Sequence, residues 1–227
     1  MSDTVINRPS KGKTSTGLSM ERIYTTEGIH PYDEVKWERR DVLQSNWKTG
    51  VTVFEQRGVE YPDFWSVNAS TIVTTKYFRG AVGAENREWS LKQVIDRVVL
   101  TYTKAGKEFG YFATDKDATI FEHELTHMLM HQIFSFNSPV WFNVGTAAPQ
   151  QVSACFILSV DDDLVNEGGI MDLWIREARI FKYGSGVGTN FSQIRGEGEK
   201  LSGGGTSSGI MSFLKIGDRA AGAIKSG

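Results

Sequence analysis

Hydrophobic positions recur at helical spacing in two long stretches of the chain. Leu91, Val94, Ile95, Val98, Val99 and Tyr102 fall on one face of a helix that Ser90 opens. Gln93 lies three residues later, where a capping-box partner belongs, and Gly106 is the expected stop. A second helix is predicted from Ala118 to Phe134, with Phe121, Leu125, Met128, Leu129 and Ile133 as its apolar stripe. Upstream, Tyr24 to Asp63 shows isolated aromatics without a period, and short irregular helices and turns are expected there. Residues 1–19 are polar, rich in Ser, Thr and Lys, and read as a disordered leader.

After residue 150 the pattern changes. Ala154–Val160 is a short unbroken apolar run, which predicts a strand buried on both faces. A helix follows from Gly169 to Lys182, then a second strand at Val187–Phe191 and a last helix from about Ser207. Strand, helix, strand, helix implies a parallel α/β arrangement. The expected organisation is a mostly helical region over residues 20–150, then the start of an α/β domain over residues 151–227. Two strand–helix units cannot close a barrel, and the chain stops at Gly227 on an unfinished helical pattern, so a truncated α/β domain is expected.

Composition narrows the function. Apolar residues are 40% and charged residues 23% of the 227, as in ordinary globular proteins. A formal charge of -2 argues against nucleic-acid binding through bulk electrostatics. The single cysteine, Cys155, excludes an internal disulfide framework and fits a reducing, cytoplasmic setting. No apolar run is long enough for a membrane span, and no membrane partner is expected.

Two local signals carry candidate chemistry. His123-Glu124-Leu125-Thr126-His127 matches the HExxH zinc pattern, in which two histidines one turn apart bind zinc and the glutamate activates water. The extended form of that motif needs Gly at 130 and His at 133, where this chain has Met130 and Ile133. A partly solvated or domain-facing helix side is the favoured reading, with a zinc metallopeptidase through His123, Glu124 and His127 as the alternative and no metal site assigned. GSGVGTN (184–190) and SGGGTSSG (202–209) are glycine clusters that could cradle phosphates, though neither completes a dinucleotide fingerprint or a P-loop. The second leads into a helix N-terminus, where free N–H groups attract anions.

Three stretches taken together resemble one family: FNSPVWFNVG (136–145), SACFILSV (153–160) and KYGSGVGTNFSQIRGEGEKLSGGGTSSGIMSF (182–213). EGIHPYDEVKWERRD (27–41), VEYPDFWS (59–66) and TTKYFRG (74–80) agree in order. The set is similar to the N-terminal portion of adenosylcobalamin-dependent (class II) ribonucleotide reductases. The resemblance implies a helical N-terminal region followed by the first units of a ten-stranded α/β barrel. It also implies reduction of ribonucleotides, with diphosphates the expected substrates, by thiyl radical chemistry that adenosylcobalamin initiates.

On this resemblance Cys155 matches the first cysteine of the redox pair. Ser138, Ala154, Cys155 and Gly186 match substrate-contacting positions, and Asp162 and Arg195 match the site of a deoxynucleoside triphosphate effector. The family's radical cysteine, second redox cysteine and later phosphate loop have no counterpart here. The chain is therefore expected to be inactive alone, to need the missing C-terminal half, and to form a homodimer served by a thioredoxin-type reductant when complete. A nucleotide-binding remnant without catalysis is the other alternative.

Overall fold

A computed structural model describes residues 17–224. The leader expected over residues 1–19 lies outside the described residues up to position 16. Leu18, counted with it, is tied down: its N–H donates to Tyr111 O (2.8 Å) and its carbonyl accepts from Ala113 N (3.0 Å). Leu18 thus begins a strap that runs along the helical region. Met20 N donates to the Asp117 carboxylate (2.7 Å), and Thr25 N to that of Glu124 (2.9 Å).

The irregular helices expected between Tyr24 and Asp63 are replaced, apart from one 3₁₀ turn at Pro31–Glu34, by an antiparallel hairpin. Strand β1 (Trp37–Ser45) pairs with β2 (Thr52–Pro62), from Trp37 opposite Pro62 to Ser45 opposite Thr52. Asn46 shapes the turn by accepting from Lys48 N and Thr49 N, and Gly50 supplies the left-handed residue at φ 69°. The hairpin meets the core chiefly at its root, through Val42, Val59 and Tyr61, with the partly buried Phe54 packed against it further out. Trp47, Val51 and Val53 near the tip are exposed, so no period-2 hydrophobic pattern marks these strands.

Two of the four helices of this region pack on that root, and the other two pack against one of those. α1 (Val67–Lys76) and the short α4 (Ser138–Asn143) were not anticipated; side chains at their N-caps, Ser66 and Asn137, accept from Ala69 N and Val140 N. α2 (Leu91–Glu108) starts at the expected capping box but continues past Gly106. That glycine is buried inside the helix because a Cβ there would lie 2.4 Å from the Phe112 ring. α3 runs Asp115–Met130, earlier than expected at both ends: Thr114 caps it, and Gln132 beyond it turns left-handed at φ 59°. The core joins Val59, Tyr61, Leu91, Val94, Ile95 and Leu129, each worth about 1.5–3 kcal/mol on full burial. Polar ends of its aromatics are satisfied: Tyr61 Oη meets Thr74 Oγ1 at 2.8 Å, and Trp65 Nε1 donates to Met130 O at 2.8 Å.

The second region holds β3 (Cys155–Ser159), α5 (Ile170–Lys182), β4 (Gly186–Asn190) and α6 (Ile210–Ala223). β3 and β4 pair in parallel, with Cys155 opposite Gly186 and Ser159 opposite Asn190. The α/β order is as expected, and Gly186 opens a strand rather than lying in a loop. The helical pattern that ran on to the end closes at Ala223, where Ile224 leaves helical geometry at ψ 115°.

The expectation of a strand buried on both faces is corrected. Val160, Ile170, Leu173 and Trp174 form a core under one face, joined by the partly buried Leu158. The other face of β3 is bare, and Ile157 on it is 90% exposed. α5 and α6 supply apolar cover on one side only, so the alternate residues Cys155, Ile157 and Ser159 face outward. Among the described residues no helix is long and apolar enough to cross a membrane.

Candidate functional site

The bare sheet face brings together three of the residues expected at the substrate. Cys155 is exposed and is the register partner of Gly186. The Gly186 N–H donates to Ala154 O at 2.7 Å, locking the start of β4 onto the start of β3. A Cβ placed on Gly186 would have Ala154 O at 3.9 Å as its nearest neighbour. Packing within the described residues therefore does not demand glycine at 186; its absent side chain leaves the space beside the thiol free. Behind the pair, buried Ser185 donates from its hydroxyl to Ser153 O (2.6 Å) and bonds the Gln151 side-chain amide.

Ser138 is the first residue of α4, and its hydroxyl hydrogen-bonds the Tyr77 hydroxyl at 2.9 Å. It is coupled to the sheet through the far end of the same helix. Buried Asn143 donates from Nδ2 to Pro139 O (2.9 Å), Gln151 O (3.1 Å) and Tyr183 O (3.1 Å). One amide thus joins α4 to the approach to β3 and to the turn before β4. Sequence reading missed Asn143 and Tyr77. An asparagine amid apolar helix residues (Val140, Trp141, Val144) was the available signal, since a buried amide must find partners.

The two expected effector residues meet elsewhere. Arg195 Nε donates to Asp162 Oδ2 at 2.5 Å, and Arg195 N to Asp162 Oδ1 at 3.3 Å, across 33 residues of chain. Arg195 Nη1 also reaches Lys200 O at 3.2 Å. The pair lines a cleft of about 410 Å³ whose other wall carries Ser202, Thr206, Ser207 and Ser208. The cleft thus holds one cation, Arg195, two carboxylates, Asp162 and Asp163, and several hydroxyls. Asp162 follows β3 while Cys155 begins it, so the cleft and the thiol lie about 20 Å apart along the strand direction.

The HExxH match has another role. Glu124 is buried and accepts from Thr25 Oγ1 (2.5 Å), Thr25 N (2.9 Å) and Tyr24 N (3.1 Å). Burial pushes its carboxyl up, but these hydrogen bonds outweigh that and hold it below the usual range. His127 stacks between Tyr24 (5.4 Å) and His131 (4.1 Å), and His131 lies on Phe64 (5.1 Å). Glu124 therefore fastens the strap to α3, while His123, His127 and His131 on the same side stay half-buried, in keeping with a partly solvated or domain-facing helix side. Among the described residues no three His, Cys, Asp or Glu side chains converge as a metal site.

Comparison with known proteins gives the family. A family described as "Class II vitamin B12-dependent ribonucleotide reductase" matches residues 39–132, and the ribonucleotide reductase barrel domain matches residues 153–227. A vitamin B12-dependent ribonucleotide reductase of Streptomyces clavuligerus is 62% identical over 221 residues, covering 97% of this chain and 23% of that protein. A protein of the same name from Bradyrhizobium diazoefficiens is 43% identical over 272 residues, covering 92% of this chain and 22% of its own length. A ribonucleoside-diphosphate reductase large subunit of variola virus is 37% identical over 108 residues, covering 47% of this chain and 13% of that protein. The chain thus spans less than a quarter of the length of these relatives. It belongs to the class II, vitamin B12-dependent ribonucleotide reductase family, and carries that family's N-terminal region and the beginning of its barrel domain.

Proposed function

We propose that this chain is the N-terminal part of a vitamin B12-dependent ribonucleotide reductase and that Cys155 is one of two thiols that reduce the substrate. The observation that carries the reading is the Cys155–Gly186 pair: an exposed thiol at the start of a strand, next to a glycine that leaves the neighbouring space empty. A ribose can approach a thiol so placed, with the Ala154 and Gly186 backbone alongside.

The overall reaction balances as follows. Two cysteine thiols give up two electrons and two protons to form one disulfide; the ribonucleotide loses its 2′ hydroxyl as water and gains hydrogen at that carbon. Cys155 is the only cysteine of the 227 residues, so the second thiol comes from outside this chain, and the chain alone is inactive. The radical cysteine likewise belongs to the remainder of the enzyme. Diphosphates are the substrates we favour, in keeping with the name of the viral relative.

Adenosylcobalamin supplies the initiating radical when bound. Its site does not fit the described residues: the clefts around Arg79 and around Arg195 are about 430 and 410 Å³, in the range of a drug-sized ligand, and a corrinoid with its nucleotide tail is far larger. Its contacts fall in the part of the enzyme beyond this chain. We further propose that the barrel begins near residue 150 and completes ten strands, and that Asp162 and Arg195 hold a deoxynucleoside triphosphate that selects the base. The working enzyme is a cytoplasmic homodimer regenerated by a thioredoxin-type reductant.

The test is CDP reduction by this chain joined to the remainder of a Streptomyces-type enzyme, with adenosylcobalamin and a dithiol. Turnover is expected, and it should vanish in Cys155→Ser while triphosphate binding persists. Turnover that survives in Cys155→Ser would remove the redox role. Triphosphate binding without turnover in an assembly that holds cobalamin would mean a non-catalytic protein.

A further inference from the structure

Glu88 and three arginines form an unbalanced group where the helical region meets β4. Arg97 Nε donates to Glu88 Oε1 at 2.8 Å, with both side chains about a tenth exposed. Glu88 Oε2 accepts from the backbone N–H of Arg79 at 2.7 Å. Arg87 is held by neutral acceptors: Phe78 O, Gly80 O, Thr74 O and the Gln56 side chain. Arg79 points elsewhere. Its Nη2 donates to Phe142 O, its guanidinium lies 5.5 Å over the Phe142 ring, and its Nε is buried with no partner among the described residues. One carboxylate thus faces three partly buried cations. Burial, and then the charges of Arg97 and Arg87, disfavour the charge on Arg79, with only Glu88 opposing.

Arg79 lines a cleft of about 430 Å³ between α4 and the turn before β4. Lys182, at the last position of α5, lines it too, and no carboxylate does among the described residues. Thr146, Asn143 and the backbone around Gly184 complete the wall. Gly184 sits at φ 83°, and a Cβ there would come within 2.8 Å of the Phe142 ring, so glycine at this position leaves the wall without a side chain. The cleft is therefore cationic, open and hydrogen-bonding, with an arginine N–H unsatisfied behind it. That is the chemistry of an oxyanion site.

We propose that this cleft binds a phosphate-type oxyanion between Arg79 and Lys182, tying the helical region to the start of the barrel domain. It is separate from the Asp162–Arg195 cleft and does not depend on the function proposed above. The anion is free phosphate or pyrophosphate, or the phosphate tail of a nucleotide, all of which present the same oxygens.

The test is a titration of this chain with pyrophosphate, followed by thermal midpoint and by the amide NMR signals of Gly184, Thr146 and Ala148. A saturable rise in midpoint with movement of those signals is expected. Lys182→Gln, at an exposed position, should weaken binding about tenfold. Arg79→Gln should weaken it at least as much, and Arg79→Lys should restore part of the loss. Arg195→Gln should leave the Gly184 response unchanged. Tripolyphosphate and a nucleoside triphosphate of equal charge then separate the sources: equal affinity assigns the site to phosphate alone, and tighter nucleotide binding with the same Lys182 dependence assigns it to a nucleotide tail. No saturable response at Gly184, a response that chloride reproduces at equal ionic strength, or one indifferent to Lys182→Gln would overturn the proposal. Because Lys182 is exposed, its substitution is decisive even if the Arg79 variants do not fold.

Discussion

Cys155 and Gly186 face each other across the parallel pair β3–β4, and the Gly186 N–H is bonded to the carbonyl just before the cysteine, at 2.7 Å. The thiol's nearest neighbour on the bare face is thus a residue without a side chain. Gly186→Val fills that space: neighbouring strand positions place side chains about 5 Å apart. Modification of Cys155 by iodoacetamide should slow by about threefold or more, while stability in urea should change by less than about 1 kcal/mol. An unchanged modification rate would mean that the glycine does not govern access to the sulfur.

Gly106 tests whether close packing overrules helix propensity. On propensity alone, Gly106→Ala inside α2 should stabilise by about 1 kcal/mol. A Cβ at 106 would lie 2.4 Å from Phe112 Cε2, so the substitution should instead cost about 1–3 kcal/mol in chemical denaturation. Phe112→Leu should relieve part of that cost.

The same residue shows what the chain made legible. α2 was readable because Leu91, Val94, Ile95 and Val98 all point into one core and Ser90 with Gln93 closes its first turn. The stop assigned to Gly106 failed because that glycine answers to a ring six residues on, a contact that no local pattern shows. The hairpin was hidden because most of β1 and β2 touches solvent on both faces, and α1 because a run such as Ile72-Val73-Thr74-Thr75 favours strands until Ser66 caps it and Tyr61 and Arg40 pack against it. At the site, the Cys155 and Asp162–Arg195 positions came through resemblance. Asn143 and Tyr77, which place α4, answer to partners as far as 61 residues away.

Glu124 should make the fold sensitive to acid. Its carboxyl is held below its usual value of 4.5, so the folded state binds its proton later than the unfolded chain does. The stability it gives is present above pH 4.5 and is lost as pH falls through the depressed folded value. Glu124→Gln should cost about 1–3 kcal/mol at neutral pH and flatten the stability profile below pH 4.5.

His131 acts in a higher window. Burial first, and the neighbouring His127 next, hold its imidazole below the ordinary 6.5. The unfolded chain takes up this proton first, so stability is full above pH 6.5 and declines as pH falls through the lower folded value. His131→Phe keeps a ring on Phe64 and should remove that slope, as urea midpoints at several pH values would show.

For Asp162 and Arg195, binding and stability should separate. Their side chains are about 30% exposed, so breaking the ion pair with Arg195→Gln should change stability by less than about 1 kcal/mol. If they hold a triphosphate, its affinity should fall about tenfold, measured by calorimetry.

The strap has a consequence for the order in which the molecule is built. Its fastenings, Met20 to Asp117 and Thr25 to Glu124, join residues 97 and 99 positions apart. The strap is synthesised well before α3, so its bonds to Asp117 and Glu124 wait until α3 has emerged and settled against α2. It closes over a surface that the helices must already have made, so late docking and early opening are expected of it relative to those helices.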